Sequence, residues 1–255
     1  MWYAFPVMSE QNQVNFARLY AGFQAPIAAL DCGKKCAPYN EYGVPFCCDT
    51  THAVPSAYLA EWDYLQQNTN LWHLWQPADE GEYQLVRAET PENMQLIECL
   101  GHTHCQRGFR SLTCRAFPFY PYINSNGEFI GLSYYWDYED RCWVISNLQV
   151  VTPEYVQQFV LTFDRLFAEM PGERESYARH SLVMRRKFAR KGRTLPLLHR
   201  DGGLYKVSPH HERMRRVHAD SLPKFGPYRV AALLPFPDEL DEYAGLQRSQ
   251  NLSES

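Results

Sequence analysis

All eight cysteines of this 255-residue chain lie before residue 143, and the rest of the chain has none. A chain of this length buries roughly three quarters of its unfolded surface, so it does not need disulfides to fold. The first residues, MWYAFPVMSEQNQ, lack the basic region and small-residue cleavage site of a secretory signal, so we expect a cytoplasmic protein. Because disulfides are rare in that compartment, the thiols need another explanation.

The composition is that of a folded domain without a membrane anchor. Hydrophobic residues make up 45% of the chain, which excludes wholesale disorder. The mean hydropathy is −0.46, and no uninterrupted apolar run approaches the length of about 20 residues that a spanning helix needs. We therefore expect no membrane as a partner.

Charge divides the chain at nearly the same place as the cysteines. Residues 1–150 carry 8 basic and 16 acidic side chains, whereas residues 151–255 carry 17 basic and 13 acidic ones. We predict a cysteine-cluster metal-binding core over 1–150, a helical and mixed C-terminal portion over 151–237 packed on it, and a polar tail over 238–255. The expected fold class is α+β, with an irregular cysteine-rich metal-binding core that contains short strands and is flanked by helices.

Periodicity of the apolar residues predicts the individual elements. Helices are expected over 12–23, 55–67, 153–170 and 173–191. Strands are expected over 83–88, 94–100, 129–136, 195–199, 204–207 and 228–234, and a loop over 28–51. The helix after Thr152-Pro153-Glu154 is the best marked, because a hydroxyl cap, a proline and an acid all favour a helix start.

Four thiols lie within seventeen residues of the predicted loop, namely Cys32, Cys36, Cys47 and Cys48. An irregular backbone with soft ligands is typical of metal binding. A disulfide between the adjacent residues Cys47 and Cys48 would be strained, because neighbouring Cα atoms are only about 3.8 Å apart. Two adjacent thiolates can instead bind two irons of one cluster or two metals of one site.

A second group consists of Cys99, Cys105 and Cys114, and Cys142 follows alone. His102 and His104 are alternative nitrogen ligands. The competing interpretation, that all eight are small buried hydrophobes, fits poorly with thiols on a Gly- and Pro-rich loop. Charge agrees with metal binding, because a thiolate site needs cations nearby. Six of the basic residues in the acidic first part lie near cysteines in sequence: Lys34, Lys35, Arg107, Arg110, Arg115 and Arg141.

These cysteines resemble those of the CxxxCxxCC cysteine-cluster (YkgJ-like) family of zinc- or iron-chelating domains, which is distantly related to the flagellin lysine methylases. The first group matches the family's group that ends in a Cys-Cys pair, and Cys114-Arg115-Ala116-Phe117-Pro118 matches its Cys-Arg-x-Phe/Tyr-Pro signature. The resemblance covers residues 28–145. The gap before Cys47 is ten residues where the family has about two. The resemblance implies a metal or iron–sulfur centre, with all eight cysteines as candidate ligands.

Both zinc and iron–sulfur clusters use four-thiolate sites. Eight cysteines allow one [4Fe–4S] cluster with spare thiols, two four-ligand sites, or a cluster with more than four protein ligands. The aromatic residues that follow Cys114 would exclude water, so we favour an iron–sulfur cluster, [4Fe–4S] in the first instance, with zinc as the alternative. Three functions follow: a redox or enzyme-assisting metalloprotein, a protein lysine methylase-like enzyme, and a zinc-stabilised interaction module.

The sequence leaves open whether the chain is an enzyme, either an iron–sulfur oxidoreductase or a protein lysine methylase. It has no Gly-x-Gly-x-x-Gly, Walker, His-Glu-x-x-His or Gly-x-Ser-x-Gly motif. Basic residues are concentrated in 179–193 and again in 210–218. A pI of 6.1 argues against nucleic acid as their partner, and we expect a protein substrate or redox partner instead.

Overall fold

The computed structural model describes residues 14–77 and 79–229, and it shows a mixed α+β fold with two antiparallel sheets. The helices are α1 (Phe16–Ala21), α2 (Cys32–Cys36), α3 (Leu59–Asn68), α4 (Glu80–Glu89), α5 (Leu112–Ala116), α6 (Trp143–Ser146), α7 (Pro153–Glu169) and α8 (Pro171–Arg190). The strands are β1 (Ser56–Tyr58), β2 (Trp72–Leu74), β3 (Met94–Cys99), β4 (Phe119–Ile123), β5 (Phe129–Tyr134), β6 (Leu195–His199), β7 (Leu204–Val207) and β8 (Met214–Arg216). The α+β prediction is therefore confirmed.

The smaller sheet has three strands in the order β1-β3-β2. The central strand β3 lies where the sequence predicts a strand, and its Leu96 and Ile97 are buried. Ser56 pairs with Leu96, and Trp72 pairs with Cys99. The sheet therefore carries Cys99 at the end of its central strand.

The larger sheet has five strands in the order β4-β5-β6-β7-β8. The turn at Asn126-Gly127 joins β4 to β5, and Gly127 has the positive φ of 79° that favours glycine. The predicted hairpin of β6 and β7 is confirmed, with Leu195 opposite Val207. Two strands of this sheet come from residues before 150 and three from residues after it, so the sheet spans both predicted segments.

Helices α7 and α8 cover this sheet. The Thr152 side chain accepts a hydrogen bond from the Tyr155 backbone, as expected of an N-cap. One face of α7 is buried, with Phe159 and Phe163 at the centre of the core. A hydrogen bond joins helix α8 to the edge strand β4, since the Ser181 hydroxyl accepts it from the Ile123 backbone N–H. Both helices match their predictions to within two residues.

Several predicted elements are wrong. Residues 83–88 are helical rather than extended, because the Asp79 side chain caps α4 by accepting from Gly81 N, and two acids occupy its first turn. The helix expected from Pro55 begins only at Leu59, since residues 56–58 pair with β3. The expected loop over 28–51 contains the short helix α2 and two 3-10 turns, Ala37–Tyr39 and Phe46–Cys48.

Strand β4 is absent from the predictions. Its residues FYPYI are all buried, and Pro121 is tolerated because β4 is an edge strand. The predicted strand over 129–136 ends at Tyr134. Of the strand expected over 228–234, residues 230–234 lie outside the described residues, and Tyr228 belongs to the 3-10 turn Gly226–Arg229. Residues 12 and 13 of the first predicted helix and the tail 238–255 also lie outside them.

Candidate thiol-lined metal cavity

All eight cysteines line one cavity of about 870 Å³, which we call the thiol cavity. The two groups are separated by about fifty residues of sequence, yet the fold brings them to the same cavity. The residues concerned are Cys32, Cys36, Cys47, Cys48, Cys99, Cys105, Cys114 and Cys142. None is paired in a disulfide. The predicted ligands therefore share a single space, although their sequence spacing alone does not require it.

The first four thiols are positioned by short helical turns. Cys32 and Cys36 begin and end α2, whose start is capped by the Asp31 carboxylate accepting from Gly33 N. Cys47 and Cys48 lie in one 3-10 turn, and their Sγ atoms are 4.0 Å apart. These short turns therefore present all four thiols to the thiol cavity.

Three of the other four thiols lie at the ends of elements, and the fourth lies within a short helix. Cys99 ends β3, Cys105 follows the 3-10 turn His102–His104, and Cys142 precedes α6. Cys114 lies in α5, where its backbone N–H donates to the Ser111 hydroxyl, the N-cap of that helix. Each thiol is therefore held by local backbone structure rather than by a long element.

One guanidinium reaches directly into the thiol cavity. Arg110 Nε donates to Cys105 Sγ at 3.1 Å, and the neighbouring thiols raise the pKa of this guanidinium further, against the effect of its own burial. Lys34, Arg107 and Arg141 also line the cavity. The sequence-based expectation that cations accompany the thiols is met by these four residues.

Arg115 has a different role. Its guanidinium donates to the backbone carbonyls of Phe23, Gly108 and Arg110, and it lies 4.2 Å from the centre of the Tyr20 ring. It therefore ties the second cysteine group to α1 instead of facing the thiols.

Burial raises the pKa of most of these thiols. It raises the pKa of Cys32 to about 11 and that of Cys114 to about 12. Burial is also the largest cause of the raised pKa values of Cys36, Cys99 and Cys142. A neutral thiol is a poor ligand, so a bound cation is needed to stabilise these groups as thiolates.

Cys48, which follows Cys47 directly, is the exception. A hydrogen bond between the two thiols lowers the pKa of Cys48 to about 7, and Arg110 lowers it further against the effect of burial. The same hydrogen bond and burial raise the pKa of Cys47. Cys48 is therefore the thiol most ready to be a thiolate at neutral pH, and so the natural first ligand for a metal.

The thiols surround the cavity without converging on a single point. Among residues 14–77 and 79–229, no three His, Cys, Asp or Glu side chains are grouped closely enough to hold one metal ion. His102 lines the cavity, whereas the Nδ1 atom of His104 lies 3.2 Å from the Leu100 carbonyl and 3.1 Å from the Thr103 hydroxyl. The donor set is thus rich in sulfur but spread over a wide surface.

Aromatic side chains form much of the remaining wall. The lining includes Tyr58, Phe117, Tyr135, Tyr138, Phe163 and Tyr177. Phe117 lies 4.8 Å from Tyr138, ring centre to ring centre, and Tyr138 donates through its hydroxyl to the His52 carbonyl. Five of these six residues belong to the part of the chain that follows Cys114, where the sequence predicts an aromatic surrounding.

A buried carboxylate beside the cavity is absent from the predictions. Glu61 is fully buried and accepts hydrogen bonds from the Tyr20 hydroxyl and from the backbone N–H groups of Tyr58 and Leu112. Burial raises its pKa to about 7 despite these donors. The only signal in the sequence is its place as the third residue of α3, where glutamate often binds the backbone before the helix.

The acidic residues after β5 are ion-pair partners in this structure. Glu139 pairs with Arg193 at 2.5 Å, and Asp137 lies 3.7 Å from Lys187. Asp140 lies 4.0 Å from Arg141. Each of these carboxylates is therefore matched to a basic side chain.

No helix in the described part of the chain combines the length and the hydropathy that a bilayer crossing needs. Comparison of the chain with protein-family models, with curated proteins and with solved structures gives no match in any of the three.

Proposed function

We propose that this chain is an iron–sulfur protein of the cysteine-cluster type, with a redox or enzyme-assisting role. The observation that carries the proposal is the convergence of all eight cysteines on one cavity. Two sequence groups that merely packed in the core would have no reason to face the same space. The cluster, [4Fe–4S] in the first instance, would supply electron transfer or polarise a bound substrate.

The spread of the thiols supports a cluster over a single zinc ion. Zinc binds four ligands at about 2.3 Å from one point, which requires close convergence of sulfur atoms. The described residues contain no such group of three, and the Sγ atoms of Cys47 and Cys48 lie 4.0 Å apart. In a [4Fe–4S] cluster each cysteine binds a different iron, so the ligand sulfur atoms can be farther apart.

The surrounding residues supply what a thiolate centre needs. Arg110 donates to a ligand sulfur and, with the other lining cations, offsets negative charge. Hydrogen bonds to sulfur and the exclusion of water are the two means by which a protein adjusts the potential of such a centre. The aromatic wall provides the second of these. The resemblance to the cysteine-cluster family points the same way, whereas the methylase alternative rests on that resemblance alone.

Anaerobic reconstitution tests the proposal. The purified chain is incubated with ferrous iron and sulfide, desalted, and examined for bound iron, acid-labile sulfide and visible absorption. We expect a brown protein with iron and sulfide in equal amounts, and loss of both when Cys47 and Cys48 are changed to Ser. Ser56→Ala, which alters a cavity-lining residue that is not a thiol, is the matched control. A colourless protein that retains stoichiometric zinc under the same conditions would contradict the proposal.

A further inference from the structure

The two basic segments that the metal site leaves unexplained form one groove. Helix α8 provides one wall and the turn at 208–212 provides the other, and together they enclose a groove of about 730 Å³, which we call the basic groove. These segments are about twenty residues apart in sequence. Their convergence gives the basic residues a shared location that neither segment has alone.

The walls of the basic groove are fixed to each other by a buried ion pair. Arg185 on α8 lies 2.9 Å from the Glu212 carboxylate, and it also donates to the Ile123 carbonyl. Glu212 in turn accepts from the Tyr122 hydroxyl and the Ser125 backbone, and its own backbone has a φ of 50°. The groove is therefore a built feature of the fold.

Other cations at the groove have no such partner. Arg186 and Arg190 are exposed, one turn apart on α8, and His210 faces them from the turn. Within the described residues, no carboxylate lies within ion-pair distance of Arg186 or Arg190. The exposed strand β8, which follows the turn, carries two further arginines, Arg215 and Arg216. The groove therefore attracts a group of negative charges.

The remaining lining of the groove is apolar. Leu182, Ala189 and Pro209 lie between the cations. Leu182 is 38% exposed, which leaves a large apolar side chain facing solvent. A nucleic-acid backbone would pair with the cations but would leave these apolar side chains without a contact. An acidic peptide that also carries apolar side chains would use both.

We propose that the basic groove binds residues 236–246 of the same chain, FPDELDEYAGL. This segment has four carboxylates within five residues and no basic side chain, and Leu240 and Tyr243 alternate with the acids. Its composition complements the groove in both charge and apolarity. The interaction would hold the C-terminal segment against α8 and cover a surface that is otherwise strongly basic.

The distance to be bridged is short. The last described residue, Arg229, follows Phe225, whose ring centre lies 5.1 Å from the Arg193 guanidinium. Arg193 is three residues beyond Arg190, at the end of α8 that borders the groove. The seven residues 230–236 can span up to about 25 Å. From Arg190 to Leu182 the helix rises only about 12 Å, so the segment can reach along the whole groove.

Carbodiimide cross-linking tests this proposal on the full-length chain. Arg190→Lys keeps the positive charge and places a primary amine in the groove, which can form an amide with a nearby carboxylate. We expect mass spectrometry of the monomeric product to show a cross-link between position 190 and residues 238–242. The yield of this cross-link should fall several-fold near 1 M salt, where the screening length falls to about 3 Å.

Two variants control the experiment. Arg179→Lys adds the same amine on the exposed surface of α8 outside the groove, and it should give no link to 238–242. Neutralising the four acids (Asp238→Asn, Glu239→Gln, Asp241→Asn and Glu242→Gln) removes the reactive carboxylates, so it should abolish the link at position 190.

Three outcomes would overturn the proposal. The first is equal linking at positions 179 and 190, which would show random encounter. The second is a link found only in dimers, which would assign the groove to a second copy of the chain. The third is binding of poly(U) RNA by the full-length chain that depends on Arg186 and Arg190, which would show that the groove is open to nucleic acid.

Discussion

The residues around the thiol cavity and the residues of the larger sheet are built in different ways. The cysteines of the cavity lie in or beside α2, α5 and α6, which have only four or five residues each, at the end of β3 and in turns. The sheet is covered by α7 and α8, with 17 and 20 residues. Helices of four or five residues have no stability of their own in water, whereas long amphipathic helices are stabilised by packing.

The difference indicates a division of roles. The larger sheet and its two helices bury a continuous apolar core, with Phe159 and Leu166 fully buried. The cavity wall has thiols whose pKa values are mostly raised by burial. Metal binding would supply to that wall the stabilisation that apolar packing supplies to the sheet. Mutations should therefore separate metal content from overall folding.

The largest expected effect is on metal content. Changing both Cys47 and Cys48 to Ser removes the most acidic thiol and its hydrogen-bonded neighbour. We expect complete loss of bound iron, while the far-UV circular dichroism of α7 and α8 persists. Full retention of iron would show that the first cysteine group is not the ligand set, and global unfolding would contradict the division of roles.

A substitution in the apolar core beneath the larger sheet should instead lower the unfolding free energy. Phe159→Ala removes a fully buried ring from α7, and such truncations cost about 3–5 kcal/mol. Urea denaturation should show this loss in the apo protein. Leu161→Ala, on the exposed face of the same helix, is the control and should change the unfolding free energy by less than about 0.5 kcal/mol. Equal effects at the two positions would refute the assignment of the core.

Glu61 lies beside the thiol cavity and should impose a pH dependence on the unfolding free energy. Its pKa is about 7 in the folded chain and near 4.5 when unfolded, so the folded state binds the proton more tightly between these values. The unfolding free energy should therefore fall as pH rises from about 4.5 to about 7 and then level off. Integrated over that interval, the contribution is up to about 3 kcal/mol.

Glu61→Gln cannot ionise, so it should remove this part of the pH dependence. The amide also places a donor opposite backbone N–H groups, so the variant should be less stable at acidic pH by about 1–3 kcal/mol. Urea midpoints at several pH values compare the two proteins. Parallel curves for wild type and variant would show that Glu61 has an ordinary pKa.

The smallest expected effect concerns the cation at the thiols. Arg110→Gln removes the donor to Cys105 Sγ, and the loss of such second-shell contacts typically weakens metal binding about 10- to 100-fold. Iron release to a chelator should be faster by that order. Arg107→Gln is the matched control, since Arg107 lines the same cavity but makes no hydrogen bond to a thiol in the described structure. Similar release rates for the two variants would contradict a specific role for Arg110.

The sequence predicts the long, periodic elements better than the cavity wall. Helices α7 and α8 follow from caps and apolar stripes, and β6 and β7 follow from the turn between them. Strand β4 is not predicted because its aromatic run contains Pro121. A proline argues against a strand unless the strand lies at the edge of a sheet. Apolar and polar residues alternate over 83–88, which predicts a strand. The segment is helical instead, because the Asp79 cap and the acids after it favour a helix.

The candidate ligands follow from the sequence, but their arrangement does not. Cysteine type and spacing indicate all eight residues, since thiols on a Gly- and Pro-rich segment are unusual in a core. That the two groups face one cavity depends on the tertiary arrangement of β3, α5 and α2 around it, which no local pattern contains. The buried Glu61 is missed for the same reason, because two of its hydrogen-bond partners, Tyr20 and Leu112, come from distant segments.

Differential alkylation of the thiols in apo and anaerobically reconstituted protein tests the central claim most directly. Each cysteine is scored by mass spectrometry after brief exposure to iodoacetamide under native conditions. The account predicts that residues of both groups, Cys32 to Cys48 and Cys99 to Cys142, become protected together on reconstitution and are exposed together when a chelator removes the iron. Protection confined to one group, or equal labelling of the apo and reconstituted proteins, would contradict a single thiol-bound iron–sulfur centre in this cavity.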